Sequence, residues 1–489
     1  MISDLASRAG SPPPNPSSRL FKKLALVDLS ACAFTVLFSY MIALFYVAAR
    51  SGANFADIFD PYGSIPRLHV YCRLFPALFC EFFALHTLVE WLMGKFAQRK
   101  SFTRYNVAFG AAVSGAALMI VVWFMSWLGE TRHMRGFFAT MAVAYFPVSI
   151  TLHALIDTII AKLFAKRILK KANTLLVGSG PLADRAWDLS KTGRLGAYTI
   201  AKRAAPPKEP ADARLWLRER LQETPAIDAV FLFAPTLSRE ATMELAVEAV
   251  LSGKYCKATA PECGDPALLG ADRFGSARVM HLNCLCDATA SDFARRAFSR
   301  TLAVLMAVPA FFLHFTLAAI IRLDSPGDIM FKQRRFGLLG KEFTMFKYRT
   351  MTQDADLKKD SLRHLNENDG GLFKIKHDPR VTKAGRWLRK SSLDEVPQLL
   401  NILRGEMQFV GPRPLPCRDL DGYDDRWQSA RFFARPGITG VWQISGRSNV
   451  KFDGMCELDI WYSLNRSVRL DFIILARTIG AVAFGVGAH

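Results

Sequence analysis

A chain of 489 residues, with 63 Lys and Arg against 43 Asp and Glu, carries a formal charge of +20, and 51% of it is hydrophobic. That length exceeds one ordinary domain, and the charge points to an anionic partner: nucleic acid, an anionic membrane surface or a phosphorylated substrate. The 37 Phe and the long apolar runs argue against nucleic acid, and nine cysteines without a CxxC pair read as reduced cytosolic thiols, not a zinc site.

Residues 1–20 (MISDLASRAGSPPPNPSSRL) are polar and rich in Pro and Ser, which predicts a disordered tail and no cleaved signal peptide. Four apolar runs follow, at roughly 24–48, 68–94, 106–129 and 136–164. Each reaches the about 20 residues needed to cross a bilayer as a helix. The second is interrupted by Arg73, Glu81 and Glu90. Basic residues cluster before the first run (Arg19, Lys22, Lys23), between the second and third (Lys95, Arg99, Lys100, Arg104) and after the fourth (Lys166, Arg167, Lys170, Lys171). That alternation places both ends of a four-helix transmembrane bundle, residues 21–171, in the cytoplasm. Asp28, Glu81, Glu90 and Asp157 fall at membrane depth, either as functional acids or as polar contacts between helices.

The next stretch, ANTLLVGSGPLADRAWDLSKTG, runs from a short apolar strand into Gly178, Gly180 and Ala183 and then a helical pattern. It resembles the glycine turn of a dinucleotide-binding unit. A second strand, IDAVFLFAP, and a helix near 239–251 continue the alternation, so residues 172–285 are expected to form a Rossmann-like α/β domain. The acid that would hold an NAD ribose about 20 residues on is missing, and Lys202 and Arg203 stand there instead. The glycines therefore read as a tight strand–helix turn in preference to a cofactor site.

A fifth apolar run, about 302–321, contains Pro309. Arg295, Arg296 and Arg300 precede it, and Lys332, Arg334 and Arg335 follow it. Positive charge on both sides disfavours crossing, and an internal proline kinks a helix. A re-entrant helix bent at Pro309 satisfies both facts. The other reading is a fifth span with an external C-terminal domain.

The last 190 or so residues hold the densest signals. FKQRRFGLLGKEFTMFKYRTM supplies Gln333, Arg335, Lys347 and Arg349. HDPRVTKAGRWLRKSSLDEVPQL supplies Asp378, Arg380, Arg386, Arg389 and the adjacent acids Asp394 and Glu395. GEMQFVGPRPLP places Arg413 between prolines, and RPGITGVWQISGRS adds Arg435 and Arg447. Locally, Asp394 reads as a helix N-cap, since a helix started there puts Pro397 in its first turn, where proline is tolerated. The other reading is a nucleophile beside a metal-binding neighbour. A carboxylate that attacks a diphosphate needs fixed positive charge on the phosphoryl oxygens, and arginine binds such oxygens bidentately. Arg380, Arg386, Arg389 and Arg413 are the candidates, with anionic lipid head groups as their alternative partner.

Taken together, these motifs resemble the bacterial sugar transferases, the monotopic phosphoglycosyl transferases, and in particular their long polyprenyl-phosphate hexose-1-phosphate transferase members. The resemblance is specific from about residue 295 onward. It implies that Asp394 attacks the phosphate next to the sugar of a UDP-sugar, that UMP leaves, and that undecaprenyl phosphate then collects the phosphosugar from Asp394. It places Mg²⁺ near Glu395, puts Arg413 near the nucleotide phosphates, assigns Lys347 and Arg349 to one shared element, and makes Pro309 the break of a re-entrant helix. Asp378, Arg380, Arg386 and Arg389 join the substrate-binding set. Two positions depart from the family pattern: Ser299 stands where an Asp is usual at the base of the helix, and Tyr348 where Phe is more usual. The implied setting is the bacterial inner (cytoplasmic) membrane, with a cytosolic catalytic domain, inner-membrane lipids around it, a possible homodimer and no nucleic acid. Glucose or galactose is the expected sugar, and exopolysaccharide, capsule or O-antigen synthesis the expected role.

The expected architecture is thus a disordered tail, a four-helix transmembrane bundle, a Rossmann-like cytosolic domain, and a mostly α catalytic domain with a re-entrant helix over 286–489. Two other classes stay open: a membrane-anchored nucleotide-sensing scaffold with an inactive catalytic domain, and a dehydratase or epimerase built on the glycine turn. The final LDFIILARTIGAVAFGVGAH reads either as a helix on the membrane or as one packed on the catalytic domain.

Overall fold

The computed structural model describes residues 17–50, 135–165, 170–195, 197–206, 213–259, 272–274, 277–283, 292–353, 355, 361, 375, 378–416, 426–445, 450 and 452–483. The runs at 68–94 and 106–129, with Arg73, Glu81 and Glu90, lie outside the described residues, as do residues 1–16 of the tail and Arg447. The chain divides into two compact units, one of residues 16–172 with 188–199, the other holding 173–187 and 200–489.

In the first unit, α1 (Ser17–Arg50) packs on α2 (Arg135–Ala165). Val36, Tyr40, Ala43, Leu44 and Ala48 are buried, as are Met141, Ala144 and Tyr145. Their spacing of three to four residues draws one stripe down each helix. Phe34, Phe38, Ile42, Phe45 and Tyr46 face outward. An apolar exterior on a helix is what a bilayer solvates, and both helices contain a span apolar enough to cross one.

Next in the chain is a six-stranded sheet, all but Ala172 and the first two residues of β2 in the larger unit: β1 (Ala172–Val177), β2 (Tyr198–Ala204), β3 (Ala229–Leu232), β4 (Tyr255–Thr259), β5 (Asp272–Phe274) and β6 (Ala277–Leu282), in spatial order β2-β1-β3-β4-β6-β5. β3 pairs parallel with β1 (Thr174↔Ala229) and with β4, and β6 closes antiparallel on β4. Helices α3 (Pro181–Lys191), α4 (Ala213–Glu223) and α5 (Arg239–Leu251) connect the first four strands. Gly178 has φ +142°, and a Cβ there would collide with the Phe233 carbonyl, so only glycine lets β1 and β3 approach at this turn. Arg203 closes the turn: its Nε donates to the Gly178 carbonyl at 3.3 Å and it pairs with Asp184 at 2.8 Å. A side chain thus makes the contacts at this turn, in keeping with a structural role for the glycines.

Helix α6 (Asp292–Asp324) is continuous through Pro309 for 33 residues, about 50 Å if straight. Its burial is uneven. Arg295, Ser299 and Ala303 are buried near its start and Leu317 and Ile321 near its end, while no residue from 304 to 316 is buried. Arg295 pairs with Asp471 at 2.9 Å, and Ser299 takes the Phe409 N–H at 3.5 Å in the place where the resemblance led us to expect an Asp. Leu317 and Ile321 pack on Tyr348 and Leu388.

Next come the hairpin β7 (Met330–Phe336) and β8 (Glu342–Tyr348), then α7 (Lys383–Lys390), α8 (Gln398–Arg404), the parallel pair β9 (Gln408–Val410) and β10 (Gly437–Thr439), α9 (Phe452–Asn465) and α10 (Val468–Ala483). In α10, Leu470, Asp471 and Ile474 are buried while Phe472 and Ile479 are exposed, so its first half docks on the protein. One hydrophobic cluster runs from Leu175, Val230 and Leu245 to Met455, Leu458 and Trp461. The α/β region and the C-terminal region therefore share a core.

Candidate active site

The two acids lie on a 3₁₀ turn, Leu393–Glu395, between α7 and α8. Thr382 caps α7 by accepting the Gly385 N–H at 3.0 Å, and the helix ends as Ser392 turns into the left-handed region at φ +56°. The expectation that Asp394 caps the next helix is corrected here. Pro397 occupies the cap position of α8, and neither it nor Ser392 makes a side-chain capping bond. Packing decides this: Leu393 and Val396, flanking the acids, join the cluster of Leu317, Ile321, Tyr348 and Leu388. The turn is pinned by its apolar residues, which frees its carboxylates from capping.

The cations come from other elements. Lys347 of β8 places Nζ 2.8 Å from Glu395 Oε1 and 3.9 Å from Asp394 Oδ2. Arg413, held between two buried prolines, reaches Glu395 Oε1 at 3.7 Å. Arg335 of β7 donates to the Pro414 carbonyl at 2.8 Å and to Gln333 at 2.5 Å, and its charge acts on Glu395. Arg389 of α7 donates to Thr350 Oγ1 at 2.9 Å and couples electrostatically to Asp394.

This surround separates the two acids. Burial pushes Asp394 above the ordinary carboxylate range, and Lys347 only partly opposes it. Burial also acts on Glu395, but Lys347 and Arg413 together outweigh it and hold that carboxyl below its ordinary value. Glu395 is the firmly ionised partner and Asp394 the more basic one.

The remaining expected site residues are spread more widely. Asp378 and Arg380 close on each other, with contacts at 2.6 and 2.9 Å, and Arg380 also donates to the Ala355 carbonyl at 3.1 Å. Arg386 is exposed on α7 beside the half-exposed Trp387. Arg349 donates to the carbonyls of Pro326 (2.7 Å), Ser325 (2.6 Å) and Ile321 (3.4 Å). It therefore closes the C-terminal end of α6, where orphan carbonyls need donors. Pro309 lies in the exposed middle of α6.

Asn401 was not singled out from the sequence. It is fully buried, donates to the Thr344 carbonyl and to Glu406 (both 2.7 Å), and accepts the Phe346 N–H at 3.1 Å. It thereby locks α8, which follows the acids, to β8, which carries Lys347. A lone Asn inside the apolar run QLLNIL is the signal that could have found it.

Two neighbouring carboxylates are hard oxygen donors of the kind that Mg²⁺ takes when substrate phosphates complete its shell. Among the described residues, no group of three acids, His or Cys offers a cage built from protein alone.

A buried acid pair ringed by four cations, in a membrane-associated α/β protein, defines an anion-handling site. The particular family follows from comparison with known proteins. Residues 290–485 match the family model described as bacterial sugar transferase. The chain is 38% identical over 205 residues to the exopolysaccharide production protein ExoY of Rhizobium meliloti (strain 1021), a match spanning 40% of this chain and 88% of that protein. It is 43% identical over 170 residues to galactosyl transferase CpsE of Streptococcus agalactiae serotype III (strain NEM316), over 34% of this chain and 37% of the relative. It is 36% identical over 206 residues to the undecaprenyl-phosphate galactose phosphotransferase of Salmonella typhimurium (strain LT2), over 41% of this chain and 42% of that one. The chain belongs to the bacterial sugar transferase family.

Proposed function

We propose that this protein transfers a sugar 1-phosphate, with glucose or galactose as the sugar, from a UDP-sugar to undecaprenyl phosphate and so starts assembly of a polysaccharide. In the first step an Asp394 carboxylate oxygen attacks the phosphorus that bears the sugar. The phosphoanhydride bond breaks, UMP departs with the bridging oxygen, and an acyl phosphate remains on Asp394. In the second step a phosphate oxygen of undecaprenyl phosphate attacks the same phosphorus. The acyl–phosphate P–O bond breaks and the carboxylate is restored. Lys347, Arg413, Arg335 and Arg389 offset the charge that makes carboxylate attack on a diphosphate unfavourable. Glu395 would hold Mg²⁺, which when bound neutralises phosphate charge.

The observation that carries this reading is the paired geometry of Asp394 and Glu395 around Lys347, at 3.9 and 2.8 Å. Relatives named for undecaprenyl-phosphate transfer of galactose and N-acetylgalactosamine phosphates support the reaction class. A re-entrant α6 at the inner membrane, with both flanking segments cytosolic, is supported by its burial: its buried residues lie near its two ends and none falls between 304 and 316, where His314 bonds back to the Tyr348 hydroxyl at 2.8 Å.

The test is the nucleotide released when membranes containing the full chain meet UDP-glucose or UDP-galactose with Mg²⁺ and undecaprenyl phosphate. UMP is expected, and Asp394→Asn is expected to abolish it. Release of UDP, or unchanged turnover in Asp394→Asn, overturns the mechanism.

A further inference from the structure

The first two turns of α6 carry a charge imbalance that the transfer site does not use. Five arginines gather there: Arg295, Arg296, Arg300, Arg435 and Arg466. Two acids face them. Asp292 is engaged by Arg466 (2.7 and 3.1 Å) and Arg295 (3.2 Å). Asp471 is engaged by Arg295 (2.9 Å) and Tyr462 (2.6 Å). The nearby Glu406 accepts from Asn401 at 2.7 Å. Arg296, Arg300 and Arg435 are left with no ion pair to any described acid.

Their own contacts are slight. Arg296 donates Nε to the Asp292 carbonyl at 3.2 Å, and Arg435 donates Nε to the Gly405 carbonyl at 3.0 Å. Arg300 lies against Gly405 so closely that a Cβ there would meet its guanidinium at 2.8 Å. Arg296 and Arg300 stand one turn apart on one helix face, a like-charge pair that costs helix stability unless an anion joins it. Arg435 completes the group: burial and the guanidiniums of Arg296, Arg295 and Arg300 pull its pKa down, and Asp292, already engaged by Arg466 and Arg295, opposes them only in part.

The position says which anion. Arg300 immediately precedes the apolar run, and Phe293, Val304 and Leu305 are exposed beside it. Guanidiniums at the rim of an apolar helix face lie where lipid phosphates lie. The seven-residue α8 puts about 10 Å of helix between Gly405 and the turn that carries Asp394. The anion is therefore not the reacting phosphate.

We propose that Arg296, Arg300 and Arg435 form a site for the phosphate of a bilayer phospholipid, which seats the N-terminal arm of α6 at headgroup level. The full chain would be placed in nanodiscs of phosphatidylcholine with or without phosphatidylglycerol, and lipid retained on the protein measured by native mass spectrometry. Wild type should retain phosphatidylglycerol. Arg300→Gln, at a side chain with no hydrogen bond to a described residue, should weaken retention about fivefold, and Arg296→Gln/Arg300→Gln further. UMP release by Arg300→Gln should persist, which separates failure here from failure of the transfer reading. Equal retention by wild type and both variants overturns the site. Arginine-dependent retention of added undecaprenyl phosphate, with no retention of phosphatidylglycerol, overturns the phospholipid assignment.

Discussion

In the proposed reaction Asp394 must lose its proton before it attacks, and its burial makes that harder. A carboxyl whose pKa lies above the ordinary range recruits protons earlier as pH falls, so turnover should decline on the acid side before a solvent-exposed aspartate would titrate. Lys347 is the largest opposing influence. Replacing it with Met removes a positive charge 3.9 Å from the carboxylate and raises the Asp394 pKa further. The acid limb of the rate of UMP release against pH should therefore move to higher pH in Lys347→Met, alongside a lower plateau. A limb that stays put or moves to lower pH would remove Asp394 as the group being titrated. The sequence showed both acids and the lysine, but not which acid is the more basic. That division depends on Lys347 standing nearer Glu395 than Asp394, a distance set by the fold.

At the scale of elements, the site is a junction between β8 and the turn before α8, and Asn401 fastens it. Replacing Asn401 with Leu would leave the Phe346 N–H and the Thr344 carbonyl without their partner in the interior. Unsatisfied buried groups of this kind cost about 1–3 kcal/mol each, so thermal unfolding should show a clear loss of stability. UMP release at permissive temperature should fall as Lys347 drifts from Glu395. Retained stability together with retained turnover would show that the junction does not depend on Asn401. The elements themselves were readable: the apolar runs at 24–48 and 136–164 match α1 and α2, and the glycine turn falls between β1 and α3. The local shape of the DE turn was not. Propensity and proline placement favoured an N-cap at Asp394, and tertiary contacts of Leu393 and Val396 overrode them. Arg349 teaches the same lesson: two residues from Lys347, it would share that residue's face if the strand continued, but β8 ends at Tyr348 and Arg349 turns to close a helix end.

For the molecule as a whole, the two questions are where α6 runs and how far the parts behave as one body. If α6 enters and leaves the membrane on one side, Leu323, 88% exposed near its end, faces the cytosol. Cysteine placed there should react with an impermeant maleimide only from the cytosolic side. Labelling from the opposite side would mean a fifth crossing.

The shared core bears on the second question. Arg239, at the start of α5, grips Glu457 of α9 through two contacts, at 2.5 and 2.8 Å, and also donates to the Thr259 carbonyl at 3.1 Å. Asn465 of α9 donates to the His281 carbonyl at 2.9 Å and meets Asn283 at 2.8 Å. Helix α9 is thus fastened to the α/β region at its middle and at its C-terminal end, over an apolar core that both regions build. Glu457 is only 5% exposed, so Arg239→Ala would leave a nearly buried carboxylate without its partner. Breaking a fully buried pair costs about 3–5 kcal/mol. Arg239 is itself about a third exposed, and solvent screening reduces the expected loss to about 2 kcal/mol. Unfolding of this unit should remain a single transition in both proteins, at lower temperature in the variant, because the core and not the ion pair joins the regions. Arg239→Met/Glu457→Met should recover much of the loss, since it removes the stranded charge and keeps the bulk. Two separate transitions in wild type would mean that the α/β region folds independently of the transfer site, and the continuous core would then be no guide to how the protein unfolds.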